Sequence, residues 1–136
     1  MTLREQLIRD EGKVLTPYRD SMGLLTIGVG HNLDAHGISD EVCDLLLTED
    51  IARVEAGLRV RLPWARKLGD VRYAVVANMA FNLGLGGLMQ FRKALAAMQA
   101  GDWTTAAAEM LDSRWAGQVG ARATRLARQM ETGEWQ

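Results

Sequence analysis

Glu11, Asp20 and Thr26 stand close together near the start of the chain, each at the edge of a different predicted element. Glu11 closes a predicted helix and is followed by Gly12, a place where a carboxyl group points into a cleft. Asp20 falls in a predicted hairpin turn and Thr26 on the strand that returns from it. Two carboxyls from adjacent elements and a hydroxyl that holds a water are the parts needed for glycoside hydrolysis. One carboxyl must be protonated to donate to the leaving oxygen, and the other ionised to orient or deprotonate water. Spacing alone describes a pair of solvated surface acids equally well, so the surrounding sequence has to decide.

The elements that would position these residues are legible. Thr2 with Glu5 three residues later reads as a capping box, and Leu3, Leu7 and Ile8 form an apolar stripe, which predicts a helix to about Asp10. From Lys13 to Leu33, Val14, Tyr18, Thr26, Ile27 and Val29 favour strands, Pro17 suits an edge strand, and Asp20-Ser21-Met22-Gly23 is a turn signal. Gly28 and Gly30 leave the backbone there with little side-chain cover, so chain or ligand should approach it closely. Asp34 to Gly37 reads as a loop, and Ser39 as the N-cap of one long helix to about Arg61, stopped by Pro63.

The rest reads as helices. Residues 70–83 are broadly apolar before Gly84, Gly86 and Gly87 interrupt them. Further helices are expected over Phe91–Gln99, Trp103–Leu111 and Ala121–Met130. The expected class is α+β and mostly helical. Residues 1–136 form one domain in this reading: lobes of about 1–38 and 62–136 joined by the helix 39–61.

The composition excludes several functions. The 136 residues carry a net charge of −1, which conceals −4 over residues 1–62 and +3 over residues 63–136. A basic C-terminal half favours an anionic polymer, but no dense basic patch with interleaved aromatics points to nucleic acid. Cys43 is the single cysteine, so no intrachain disulfide forms, and it reads as a small buried helix residue. No His or Cys stands at ligand spacing from His31, so neither metal nor cofactor is expected. Met1-Thr2-Leu3-Arg4-Glu5-Gln6 lacks the basic start and apolar run of a secretory signal, and no apolar run is long enough to span a membrane.

Specificity comes from a resemblance. Asp10-Glu11-Gly12, Tyr18-Arg19-Asp20, Gly23 and Thr26-Ile27-Gly28-Val29-Gly30-His31 resemble the catalytic stretch of the phage-type lysozymes (endolysins, N-acetylmuramidases). The likeness continues in order through Asn78-Met79-Ala80-Phe81-Asn82-Leu83-Gly84, Phe91, Ser113-Arg114-Trp115 and Arg122-Ala123. It implies a lysozyme-like fold, a small lobe with a β-hairpin and a larger helical lobe, with the site in the cleft.

The resemblance implies Glu11 as general acid, Asp20 as the carboxylate that activates or positions water, and Thr26 as the residue holding that water. It implies hydrolysis, with inversion, of the β-1,4 bond between N-acetylmuramic acid and N-acetylglucosamine in bacterial peptidoglycan. Inversion needs room for water, hence carboxyls about 6.5–9.5 Å apart. Gly30, Asn32, Phe81 and Arg122 correspond to substrate-groove positions, with Arg122 pairing with Glu11. His31 corresponds to a structural histidine bonded to Asp50. Asn32, Ala94 and Glu109 depart from the family's usual groove residues, and the segment between Leu33 and Ile38 is shorter, which implies a trimmed small lobe. The implied biology is a monomer held in the host cytoplasm, without stable membrane insertion, until a separate holin releases it to lyse the cell. A lytic transglycosylase works with a single Glu, so Asp20 and Thr26 favour hydrolysis. A wall-binding module would not need the catalytic group, and a toxin or tail lysozyme would share the chemistry.

Overall fold

Thr2 opens the chain's first helix as expected: its hydroxyl accepts the Glu5 N–H at 3.1 Å and the Glu5 carboxylate accepts the Thr2 N–H at 2.7 Å. The computed structural model describes residues 1–136, which divide into two units, Met1–Leu46 and Leu47–Gln136. No single helix is long and apolar enough to cross a membrane.

The first unit holds α1 (Leu3–Glu11), β1 (Val14–Arg19), β2 (Leu25–Gly28), β3 (His31–Asn32) and α2 (Leu33–His36). The strands form an antiparallel sheet in the order β1-β2-β3. Tyr18 faces Thr26 across the first pair and Asn32 faces Thr26 across the second. The ladder is irregular between Val14 and Tyr18, where Pro17 has no N–H to give. Asp34 to Gly37, expected to be a loop, instead forms most of the single turn α2. Asn32 caps it by accepting the Ala35 N–H at 2.9 Å.

The helix α3 (Asp40–Arg61) starts in the first unit and ends in the second, unbroken as expected, with the Ser39 hydroxyl accepting the Val42 N–H at 3.2 Å. Leu58 is its one buried residue. Cys43 is therefore exposed, contrary to expectation, because the part of α3 that carries it buries nothing.

The second unit continues with a 3-10 turn (Ala65–Leu68), α4 (Asp70–Met89), α5 (Arg92–Ala100), α6 (Trp103–Leu111), α7 (Arg114–Val119) and α8 (Ala121–Thr132). The interruption expected at Gly84 is a kink inside α4, where φ is +77°, a conformation that disfavours a side chain. Gly86 and Gly87 remain helical beyond it. The core lies in this unit, built from Leu58, Val75, Val76, Leu88 and the buried Met79, Met98, Met110 and Met130. Ala94, Ala106, Ala123 and Ala127 let the helices approach closely around them. Arg72 fixes the end of α8 by donating to the carbonyls of Met130 (2.7 Å) and Glu131 (3.1 Å), with its guanidinium over the Trp103 ring. Where α3 meets α4, Glu55 accepts hydrogen bonds from Arg66 (2.8 Å) and the Tyr73 hydroxyl (3.0 Å).

Candidate active site

In the first unit, α1 ends on Glu11 because Gly12 leaves the helix, its N–H still bonded to the Ile8 carbonyl at 2.9 Å. The Glu11 side chain lies against the turn between β2 and β3. A Cβ built on Gly30 would stand 2.9 Å from Glu11 Oε2 and 3.0 Å from its carboxyl carbon. Gly30 also has φ +61°, a conformation that disfavours a side chain, and one added there would displace the Glu11 carboxyl. This is the close approach that the glycine-rich run predicted.

Asp20 is fixed by its own turn. Its Oδ1 accepts the N–H groups of Met22 and Leu24, each at 2.9 Å, while Oδ2 has no protein partner. Thr26 is the only buried residue of the first unit, 3% exposed, and its hydroxyl donates to the Leu24 carbonyl at 2.8 Å. Leu24 thus ties the two side chains together: its N–H goes to Asp20 and its C=O to Thr26. Since the Thr26 proton is committed, Thr26 Oγ1 is left as an acceptor towards any further partner. Asp34, which the sequence placed in a loop, supports the same strand by accepting the Leu25 N–H at 2.8 Å, with Arg19 at 3.6 Å. An Asp two residues after a capping Asn is the signal that could have marked it.

Asn32 uses its carbonyl oxygen on α2, which leaves its amide N–H groups free beside Thr26 in the ladder. Within the first unit His31 Nε2 lies on the Gly37 carbonyl, and within the second Asp50 accepts from Arg53 at 2.8 Å. A histidine partner supplied by the main chain leaves no mark in the sequence.

In the second unit, Phe81 and Arg122 line one concavity of about 400 Å³ with an apolar floor that includes Ile51, Val54 and Ala77. Phe81 is 46% exposed, unusual for a large aromatic in a helix that otherwise supplies core. Arg122 donates to Asn78 Oδ1 through both Nε (3.0 Å) and Nη2 (2.7 Å), leaving Nη1 unused. At one edge, Tyr73 has its phenol pKa raised above the usual value, first by burial and then by its hydrogen bond to the Glu55 carboxylate. No three or more His, Cys, Asp or Glu side chains converge as a metal site.

Comparison with known proteins matches residues 9–131 to the phage lysozyme family. The pre-baseplate central spike protein of Enterobacteria phage T4 is 31% identical over 98% of this chain and 28% of its own length. A probable T4-type lysozyme of Dictyostelium discoideum is 24% identical over 97% of this chain and 95% of its own length. The endolysin of Salmonella phage P22 is 36% identical over 58% of each. The chain therefore spans little more than a quarter of the spike protein but nearly all of the Dictyostelium lysozyme.

Proposed function

The chain belongs to the phage lysozyme family, and on that premise we propose that it acts as an endolysin-type lysozyme. It hydrolyses the β-1,4 bond between N-acetylmuramic acid and N-acetylglucosamine of bacterial peptidoglycan, with inversion. Glu11 is the general acid, Asp20 the base for the attacking water, and Thr26 the residue that accepts a hydrogen bond from that water. Gly30 and Asn32 of the first unit and Phe81 and Arg122 of the second contact the substrate.

The observation that carries the reading is the shared main chain of Leu24. It holds Asp20 with Oδ2 free and Thr26 with an acceptor free, which suits one water molecule donating to both. Glu11 stands on a separate element, at the end of α1, with its carboxyl close to the turn at Gly30. An acid and a water-handling pair carried on separate elements suit a displacement in which proton donation and water attack come from opposite sides of the sugar. The wider reading is a monomer released by a separate holin to lyse the host.

Mass spectrometry of digested peptidoglycan tests it. Hydrolysis gives muropeptides with a reducing N-acetylmuramic acid end, and proton NMR of the fresh product should show the α-anomer. A 1,6-anhydro end would identify a lytic transglycosylase, and uncut glycan a binding module.

A further inference from the structure

The peptide group between Leu24 and Leu25 is held at both ends by side chains. Its carbonyl, on Leu24, accepts the Thr26 hydroxyl at 2.8 Å and the Asp20 N–H at 3.0 Å, so both of its lone pairs are engaged. Its N–H, on Leu25, donates to Asp34 Oδ2 at 2.8 Å. Strand β3 ends at Asn32, opposite Thr26, and beyond that end the Leu25 N–H is taken by this carboxylate rather than by a strand. Asp34 is itself exposed, with Arg19 Nη1 3.6 Å from the same oxygen.

A carboxylate at the N–H end of a peptide pushes electron density towards its carbonyl oxygen, and chained hydrogen bonds strengthen one another by roughly 10–30% per bond. The oxygen strengthened here is the one that accepts the Thr26 hydroxyl. Thr26 is buried, so bulk water competes little for that proton. The Asp34 bond also fixes the plane of the peptide, and hence the direction of the carbonyl. With its proton held this way, Thr26 Oγ1 can only accept from a further partner. A hydroxyl free to turn would donate to the attacking water instead, and would occupy the lone pair with which that water attacks.

We infer that Asp34 is a positioning residue for the attacking water, acting through the Leu24–Leu25 peptide to keep the Thr26 proton on the Leu24 carbonyl. The inference rests on the lysozyme reading for the reaction, whereas the coupling of Asp34 to Thr26 rests on the geometry of the sheet. Initial rates of reducing-end release from soluble, uncross-linked peptidoglycan chains give kcat and KM. Asp34→Asn keeps an oxygen for the Leu25 N–H and removes the charge. Its kcat should fall about fivefold with KM unchanged, because the water matters in the transition state and not in substrate binding. Ser39→Ala removes the N-cap of α3 without touching the sheet, and should lower the melting temperature yet keep the native kcat.

A double-mutant cycle separates positioning from mere folding of the turn. Thr26→Val removes the hydroxyl and nearly keeps the shape, and in that background Asp34→Asn should change kcat by less than about twofold. The carbonyl carbon resonance of Leu24, which needs no activity, should move in Asp34→Asn and stay in Ser39→Ala; it decides alone if Thr26→Val is inactive. An unchanged kcat in Asp34→Asn, a rise in KM in place of the fall in kcat, the same loss in the Thr26→Val background, or an unmoved Leu24 carbonyl would overturn the role of Asp34. Any of these with cleavage by the native protein removes that role alone. No cleavage by the native protein removes the lysozyme reading, and with it the reaction that Asp34 serves.

Discussion

Glu11 Oε2 lies 2.9 Å from where a Cβ on Gly30 would stand, so the end of α1 brings its carboxyl close to the turn after β2. The lack of a side chain at Gly30 leaves the space that the exposed Glu11 carboxyl occupies.

Gly30→Ala should therefore act in two ways. The left-handed backbone costs about 1–2 kcal/mol for alanine, and the methyl group displaces the Glu11 carboxyl. Gly28→Ala is the control, since Gly28 has φ +71° with nothing within 4 Å of its would-be Cβ. Thermal unfolding should show similar losses for the two variants, whereas peptidoglycan hydrolysis should fall at least about tenfold further in Gly30→Ala. Equal activities would mean that the approach of Glu11 to Gly30 is incidental.

Asp20 and Thr26 are separable by intact mass after exposure to peptidoglycan. Thr26→Glu puts a carboxylate where the water belongs, and should form a covalent glycosyl adduct and turn over slowly or not at all. Asp20→Asn removes the base and adds no nucleophile, so it should lose activity without an adduct. An adduct on the native protein would point to a retaining mechanism and reverse these roles.

Tyr73 gives a prediction about pH. Its phenol is harder to ionise when folded than the ordinary value of 10.0, because burial and the Glu55 carboxylate both disfavour the phenolate. The stability this supplies is present below pH about 10 and is lost as pH rises through the folded value. Tyr73→Phe lacks the hydrogen bond to Glu55 and should cost about 1 kcal/mol at neutral pH. It also lacks the ionisation, so its deficit should shrink between pH about 9 and 11. Urea unfolding across that range checks this, and a constant deficit would mean that Tyr73 does not titrate on unfolding.

Much of this arrangement was legible in the sequence because it is local. The Thr2–Glu5 capping box, the turn at Asp20 and the length of α3 depend on neighbours three or four residues away, where periodicity and capping chemistry are visible. The glycines around Ile27 announced a close approach, although not that Glu11 would make it. What stayed hidden was short or non-local. The one-turn α2, the 3-10 turn Ala65–Leu68 and α7 are too brief to establish a period. The bond of His31 to the main-chain carbonyl of Gly37 has no side-chain signature, and Cys43 was placed among buried residues although it is exposed.

The central claim is that Glu11 donates the proton, and one variant measures it directly. Glu11→Gln keeps the size of the side chain and removes its acid. With the fold verified by circular dichroism, clearing of a purified peptidoglycan suspension should slow by roughly 10²–10⁴-fold. A folded Glu11→Gln protein that keeps more than about half of the native rate would contradict the account, since a general acid is worth far more than twofold.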